Sequence, residues 1–484
     1  MSPGRVSIFE YLLFTLLLLP LFWLNLNGTH DWGGDFAQYI QQSVNIVNGV
    51  DHTQSNYVFN PDYPELAPPS YPAGFPLLLV PITAIWGINL LAYQYVLTTM
   101  LCGLALLTFG LLRHRFTRAE AGAAMLIFTY SPTVIRFKDE VLSDIPFTLL
   151  SLGAILLFIR WKRQAGRLIS LIPVVFLLGF AFLHRNIGFV FLLAMLIDLG
   201  TKNVKASGIL ISGSIVLYLL FDQIIFPAKA SLNGHFLDLF LAGGFRETIN
   251  TTSEYYVTIF QNFFTPEGVE LDFFPLVTRA FAIAFFTVGL FIRLLHRPSV
   301  LEWSTVGYLG GIFLFPNTTQ GFRYLLPIFP LAFLYIITGL RSVRLPRKIS
   351  PFWISMTALL AIGLPYQNYL KLALRADENH LGPQSHAAQE VFRFIENNTE
   401  EYAQFTFVKP RVLGLFADRQ AFAQHPKKVL PASFDYLLTC NELTDPASEQ
   451  FIAEQQDQLE IVFQNARFTL YRLKRLSDEE VSSS

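Results

Sequence analysis

The chain has 484 residues, of which 52% are hydrophobic and 15% are charged, and its formal net charge is -1. Charged residues make up about 25% of an average soluble domain, so this composition predicts an integral membrane protein. The near-neutral charge and the pI near 6.8 exclude a strongly basic nucleic-acid-binding protein. Cys102 lies in an apolar run and Cys440 in a polar tail, which predicts neither a disulfide nor a metal site.

Apolar runs recur along most of the chain. A helix crosses a bilayer core about 30 Å thick with roughly 20 apolar residues. No small-residue cleavage site follows the first run, so we interpret it as a retained span rather than a signal peptide. About eleven spans are predicted, near residues 8–26, 90–112, 119–135, 145–160, 168–183, 187–200, 206–226, 274–293, 301–316, 323–340 and 351–369.

Clusters of Lys and Arg fall in alternate loops between these spans. Cationic loops resist translocation, so the clusters predict the cytoplasmic face. They are Arg113/Arg115/Arg118, Arg160/Lys162/Arg163/Arg167, Lys202/Lys205, Arg293/Arg297 and Arg341/Arg344/Arg347/Lys348. We therefore expect a multi-pass protein of the inner (plasma) membrane with a cytoplasmic N-terminus. The outer loops 27–89 and 227–273 and the C-terminal domain are expected on the extracytoplasmic side.

The first predicted outer loop is acidic. It contains HDWGGDFAQYIQQSVNIVNG, and no Lys or Arg lies between Asn27 and Tyr71. The later segment PAGFPLLLVPITAIWG, 72–87, is shorter than a span and is interrupted by prolines, which remove backbone donors. It is predicted to be re-entrant or interfacial, because counting it as a span would place the arginine clusters outside.

The composition changes near residue 370. AAQEVFRFIENN has helical spacing, FTFVKP and DYLLTC are typical of short strands, and LEIVFQNARFTLYRL predicts two strands around a turn. The sequence therefore predicts a polytopic α-helical membrane domain over 1–370 and a small soluble α/β domain over 371–475. The tail 476–484 is predicted to be disordered.

Conspicuous polar residues lie at the predicted outer ends of the spans, and few charges lie at the span centres. The polar segments are Asp31 to Asp35, Arg136 to Asp144, His184 to Asn186, and Asn317 to Tyr324. Transporters tend to carry ionisable groups near the bilayer midplane. This distribution favours convergence of the polar residues on one cavity at the outer surface.

Structural interpretations compete at each of these positions. Asp35 precedes a stretch of helical periodicity and, with Gln38, forms a capping-box-like pair. Asp144 likewise stands where it would cap an apolar helix, and Arg185 and Arg323 are placed where cations extend to lipid headgroups.

The motifs together resemble the GT-C glycosyltransferases, in particular the bacterial branch similar to protein O-mannosyltransferases and to the aminoarabinose transferases of lipid A. The matching pieces are GGDFAQYIQQSVNIVNG, PPSYPAGFPLLLVPITAIWG, EVLSDIPFTLL, LHRNIGFVFLL and GFRYLLPIFPLAFLY, followed by an outer C-terminal domain. The resemblance implies a GT-C membrane fold. It also implies inverting transfer of a sugar from a polyprenyl-phosphate donor to a hydroxyl of a glycan, lipid or protein.

The resemblance also implies roles for residues. A first-loop carboxylate acts in this family as base or metal ligand, which maps onto Asp35; Phe36 follows it, where the family often has a second acid. Arg323 and Arg185 are expected to bind the donor phosphate, since the arginine fork suits phosphate oxygens. Asp144 is a second catalytic candidate. The accessory candidates are Asp31, Glu140 and Tyr71.

A base also gains from the lack of a neighbouring cation, which would lower its pKa, so the cation-free loop agrees with this role for Asp35. The cofactor is left open: Asp35 and Asp144 would be the ligands of any divalent cation, and carboxylates suit Mg²⁺ or Mn²⁺. Two other hypotheses remain at this stage. One is a transporter or lipid flippase, and the other is a scaffold that keeps the fold without the chemistry.

Overall fold

The structure is a computed structural model that describes residues 7–61, 63–64, 66–164, 166–227, 238–241, 244–263, 273–296, 298–343, 350–363, 366, 382–423, 434–443 and 445–474. The chain divides into two compact units. The first comprises Met1–Asn27, Leu91–Pro227 and Asn233–Asp377, and the second comprises Gly28–Leu90, Ala228–Leu232 and Glu378–Ser484. The predicted disordered tail, 476–484, and parts of the outer loop 227–273 lie outside the described residues.

Helices dominate the fold, as the sequence predicts. In chain order they are α1 (Ile8–Leu18), α2 (Gly34–Val47), α3 (Gly74–Trp86), α4 (Leu90–Arg113), α5 (Arg118–Thr129), α6 (Pro132–Lys138), α7 (Asp144–Arg163), α8 (Ile172–His184), α9 (Phe189–Leu199), α10 (Val204–Leu219), α11 (Phe245–Phe263), α12 (Phe273–His296), α13 (Val300–Phe313), α14 (Phe329–Ser342), α15 (Pro351–Gly363), α16 (His386–Asn398), α17 (Pro410–Ala417) and α18 (Pro446–Glu454).

Three of the described helices are long and apolar enough to cross a membrane: α4, α7 and the run Val204–Ile225 that contains α10. Shorter apolar helices lie in six other predicted spans: Ile8–Phe22, Leu168–His184, Asn186–Leu199, Ala280–His296, Leu326–Ser342 and Pro351–Gly363. The mostly helical fold is thus confirmed, whereas the count of about eleven spans stays a prediction. One predicted span, 119–135, is divided between α5 and α6. Pro132 begins the second helix, and the Ser131 hydroxyl accepts a hydrogen bond from the Val134 amide at 3.2 Å.

Three buried glutamates fix helix starts in the first unit. Each accepts hydrogen bonds from the Ser or Thr three positions earlier, which is a capping box, and each also pairs with an arginine. The sets are Glu10 with Ser7 and Arg118, Glu120 with Thr117 and Arg341, and Glu302 with Ser299 and Arg293. These carboxylates are satisfied within the framework of the bundle.

Glycines allow α12 and α14 to cross closely. A Cβ atom on Gly289 would lie 1.9 Å from the Tyr335 carbonyl oxygen, and one on Gly339 would lie 2.2 Å from the Phe285 carbonyl oxygen. Small residues at crossings let helix backbones approach where lipid removes the hydrophobic driving force for packing. Any side chain at these two positions would force the helices apart.

The second unit contains a five-stranded sheet in the order β2-β1-β3-β5-β4. The strands are β1 (Gln404–Thr406), β2 (Gln420–Phe422), β3 (Tyr436–Cys440), β4 (Leu459–Gln464) and β5 (Phe468–Leu473). β1 pairs in parallel with β2 and β3, and β5 pairs antiparallel with β3 and β4. The predicted small α/β sheet is therefore present, whereas β2 and the helix α17 before it have no counterpart in the prediction.

The segment after the acidic loop forms α3, a helix of 13 residues that contains Pro81. At 1.5 Å per residue such a helix is about 20 Å long, less than a bilayer core. Its length agrees with the prediction that 72–87 does not span the membrane.

Candidate active site

Asp35 lies in the first turn of α2 and is held by two donors from the same unit. Arg411 Nη2 and the Tyr71 hydroxyl each donate to Asp35 Oδ1 at 2.8 Å. Arg411 Nη1 also donates to the Tyr71 oxygen at 3.1 Å, so the three side chains form a closed triangle. The Arg411 side chain is 6% exposed and that of Asp35 is 21% exposed. The cluster therefore presents a carboxylate to the surroundings and encloses its cation.

The capping interpretation of Asp35 is wrong. The N-cap of α2 is Gly33, so Asp35 lies inside the helix. Gln38, its proposed capping-box partner, donates instead to the Pro69 carbonyl at 3.2 Å. At the other end Asn48 is the C-cap, and Gly49 follows it with φ +68°, a left-handed conformation that glycine adopts readily after a helix.

Local sequence explains how Arg411 reaches Asp35. Pro410 begins α17, and Val412 and Leu413 are fully buried, which anchors the short helix. Gly34 provides space, because a Cβ atom there would lie 2.9 Å from Arg411 Nη2. A substitution at Gly34 would displace the guanidinium.

Arg411 and Tyr71 each keep one protonation state in this cluster. Burial alone would lower the pKa of Arg411, but Tyr71 and Asp35 outweigh burial and raise it, so the guanidinium stays charged. Burial raises the pKa of Tyr71 well above its usual range, which keeps the phenol protonated and donating. The expectation that Asp35 has no neighbouring cation is therefore wrong. The first loop contains no Lys or Arg, but Arg411, 376 positions later in the chain, supplies the cation.

Asp31 supports the entry into α2. Its Oδ1 accepts from the Gly33 amide at 2.8 Å and lies 3.0 Å from His30 Nδ1. Burial acts to raise the pKa of Asp31, but the hydrogen bonds and charge of these neighbours outweigh it and lower the pKa to about 2. Asp31 is therefore ionised over the whole neutral range, and its contacts are with its own turn.

A second acid–arginine cluster lies in the first unit. Arg185 Nη2 is 2.5 Å from Asp144 Oδ1, and Arg323 Nε is 3.3 Å from Asp144 Oδ2. The Asp144 side chain is 0% exposed, while those of Arg185 and Arg323 are 13% and 19% exposed. The structure thus brings together three residues singled out in the sequence, and two guanidiniums around one carboxylate leave one net positive charge.

Helix ends place these three residues. Asp144 is the first residue of α7, but its N-cap is Ser143 and no side chain caps the helix, so the capping interpretation does not hold here either. Arg185 follows the end of α8, and Arg323 lies in the 3₁₀ turn Gly321–Tyr324. Arg185 also lies over the Tyr324 ring, 5.2 Å from its centroid. Both guanidiniums bind Asp144 within the protein. This contact replaces the interpretation that Arg185 and Arg323 extend to lipid headgroups.

Glu140 is half-buried in the turn between α6 and α7, and its carbonyl accepts from the Leu142 amide at 2.9 Å. The preceding residue, Asp139, contacts Lys138 at 2.5 Å and also accepts from Asn25. Burial raises the pKa of Asp139 to about 7 against the opposing effect of Lys138.

The residues do not suit a divalent cation. No group of three or more His, Cys, Asp or Glu side chains gathers as a metal site in the part of the chain that the structure describes. The candidate ligand Asp144 is neutralised by two guanidiniums, and the other, Asp35, is bonded to one. Carboxylates that are compensated by arginine in this way leave little negative charge for a metal ion.

No protein-family model and no curated protein matches the sequence. Similar solved structures do exist. ArnT from Cupriavidus metallidurans, bound to undecaprenyl phosphate, matches with a TM-score of 0.57 and 11% identity over 96% of this chain and 98% of that one. The archaeal oligosaccharyltransferase AglB from Archaeoglobus fulgidus, in complex with an inhibitory peptide and a dolichol-phosphate, matches with a TM-score of 0.56 and 12% identity over 90% and 69%. The arabinofuranosyltransferase AftD from Mycobacteria matches with 0.53 and 12% over 98% and 40%.

The chain has a GT-C fold. The resemblance inferred from the sequence motifs is confirmed at this level. Sequence reasoning missed one residue of the Asp35 cluster, Arg411. Its signal is a single arginine in the apolar segment PRVLGLFA, because a buried guanidinium requires an acidic partner elsewhere in the fold.

Proposed function

We propose that the protein is a membrane glycosyltransferase that moves a sugar from a polyprenyl-phosphate donor to a hydroxyl acceptor on the extracytoplasmic side. The observation that carries the proposal is the Asp144 cluster, in which Arg185 and Arg323 come from separate turns onto one buried carboxylate. The GT-C fold supports it, since ArnT was solved with undecaprenyl phosphate and AglB with a dolichol-phosphate.

Arg185 and Arg323 bind the donor phosphate in this proposal. Each guanidinium carries its N–H donors in a planar fork, a geometry that suits phosphate oxygens. Two guanidiniums around one carboxylate leave one net positive charge, which stabilises the phosphate as a leaving group. Asp144 is then a positioning residue, because its buried carboxylate orients both arginines.

Asp35 accepts the proton of the acceptor hydroxyl. A hydroxyl is a weak nucleophile until a base within about 2.6–3.2 Å takes its proton. Arg411 and Tyr71 fix the Asp35 carboxylate in one orientation. The partly exposed side chain leaves it accessible to an acceptor.

Transfer is a single displacement. The acceptor oxygen forms a bond to the anomeric carbon, and the bond from that carbon to the phosphate oxygen breaks. The hydroxyl proton goes to Asp35, and the electron pair leaves with the polyprenyl phosphate, whose charge Arg185 and Arg323 balance. One displacement inverts the anomeric centre.

The test uses the full chain purified in detergent and a panel of polyprenyl-phosphate sugars. We expect one donor to be consumed, with release of polyprenyl phosphate and appearance of a new glycoside by mass spectrometry. Movement of lipid or sugar across proteoliposomes without any new glycoside would instead identify a transporter or flippase and would refute the proposal.

A further inference from the structure

A cavity of about 250 Å³ lies in the first unit, where the ends of several helices meet. Basic side chains from two elements line it: His114 and Arg115 follow α4, and Lys162 and Arg163 end α7. Arg115, Lys162 and Arg163 belong to the clusters whose distribution predicts the cytoplasmic face. The cavity is distinct from the Asp144 cluster, none of whose three residues lines it.

The positive charge in this cavity is only partly compensated. Lys162 Nζ pairs with Asp198 Oδ2 at 2.9 Å, and Asp198 is the acidic residue of the lining. Among the described residues, no carboxylate forms an ion pair with Arg115 or Arg163. Partial loss of hydration, together with Arg163 and Arg115, lowers the pKa of His114, as expected where cations crowd together.

The rest of the lining is apolar except for Ser299. Its apolar residues are Leu111, Leu156, Ile159, Val300 and Leu301. A free inorganic anion gains nothing from such walls. A phospholipid suits both the cationic and the apolar lining of the cavity. Its phosphate contacts the arginines, while its glycerol and first methylenes contact the leucines.

We propose that this cavity binds the phosphate headgroup of an anionic phospholipid of the cytoplasmic leaflet, with Arg115 and Arg163 as the phosphate ligands. Basic recesses between helices at that face are suited to such headgroups, since each nearby cation strengthens binding to an anionic lipid. The inference does not depend on the proposed transferase activity.

The test compares the full-length wild type with two double variants, each after delipidation in detergent. Arg115→Gln with Arg163→Gln removes the cavity cations. Arg160→Gln with Arg167→Gln removes the same charge from exposed positions outside the cavity and serves as the matched control. Phosphatidylglycerol, phosphatidylcholine and inorganic phosphate are added in turn, and binding is measured by native mass spectrometry and by the thermal shift.

We expect wild type and control to bind phosphatidylglycerol alike, and the cavity variant to bind it about fivefold more weakly per arginine removed. Phosphatidylcholine and inorganic phosphate should bind weakly to all three proteins. Equal binding of phosphatidylglycerol by the cavity variant would overturn the proposal, as would an equal loss in the control. Inorganic phosphate that binds as strongly as the lipid would show a free-anion site instead. Sugar transfer is not read out, so failure here leaves the proposed function untouched.

Discussion

Asp35 and Asp144 both lie in the first turn of a helix and both pair with arginine, but their surroundings differ. Asp35 is 21% exposed, and Arg411 and Tyr71 both donate to its Oδ1. Asp144 is 0% exposed and has one arginine at each oxygen. An accessible carboxylate can exchange a proton with a ligand, whereas an enclosed one can only orient its partners. The same ion pair therefore supports two different roles.

Glu120 shows what a purely structural carboxylate looks like in this protein. It caps the start of α5 through Thr117 and also accepts from Ser355 and Arg341. Asp144 caps nothing, although it occupies a helix start. Asp144 is buried, pairs with two arginines and caps no helix. This arrangement indicates that its role is to position the arginines and not to stabilise the start of α7.

The largest effect is expected from Asp144→Asn, which leaves two guanidiniums without their counter-charge. Removing one partner from a buried ion pair costs about 3–5 kcal/mol, so the variant should melt far below wild type. The matched control is Asp198→Asn, because its partner Lys162 is already 46% exposed. Its cost should stay below about 1 kcal/mol. Thermal denaturation in detergent measures both, and equal melting temperatures for the two variants would contradict the enclosed role of Asp144.

Asp35→Asn should lower the rate of transfer by at least about 100-fold, because the amide cannot accept the acceptor proton. The asparagine oxygen still accepts from Arg411 and Tyr71, so the protein should remain folded. Asp31→Asn, in the same loop, is the control and should retain most of the activity, since Asp31 contacts its own turn. Transfer is followed by mass spectrometry of the glycoside product. Full activity of Asp35→Asn would remove Asp35 from the chemistry.

Arg323→Lys should weaken the binding of polyprenyl phosphate about tenfold, because lysine keeps the charge but loses the planar fork. Arg136→Lys is the control: Arg136 is exposed on α6, at the same predicted face. Its affinity should match wild type. Calorimetric titration with polyprenyl phosphate gives the affinity of each variant. An unchanged affinity of Arg323→Lys would show that the Asp144 cluster does not bind the donor phosphate.

The smallest effect concerns pH. Asp31 has a lowered pKa of about 2 against an ordinary 3.8, so its native contacts stabilise the fold above pH 4. That contribution is lost as the pH falls from about 4 to about 2, because the unfolded state then binds the proton first. Because the side chain is 60% exposed, the loss should be below about 1 kcal/mol. Melting curves of wild type and Asp31→Asn should converge at low pH, and a constant difference would contradict this.

Sequence reasoning succeeded where the pattern is local. Apolar runs predicted α4 and α7, and alternation predicted the hairpin of β4 and β5, because hydrophobic periodicity is set by neighbouring residues. Asp144, Arg185 and Arg323 were singled out because each lies at a helix end on one predicted face.

The remainder depends on contacts between distant residues. Arg411 reaches Asp35 across 376 positions, and PRVLG has no pattern that specifies its partner. Aspartate is a favoured N-cap, so the sequence predicts that α2 begins at Asp35, whereas the N-cap is Gly33 and the Asp35 carboxylate accepts from Arg411. β2, with three residues, is too short for any alternation to show.

The most direct test of the division of roles is the steady-state kinetics of Asp35→Asn and Arg323→Lys with the same lipid-linked donor. Asp35→Asn should lower kcat and leave KM for the donor nearly unchanged, since it removes an interaction of the transition state. Arg323→Lys should chiefly raise KM for the donor, because it weakens phosphate binding before and during transfer. If both variants change the same parameter, the two clusters do not have separate roles and the account is wrong.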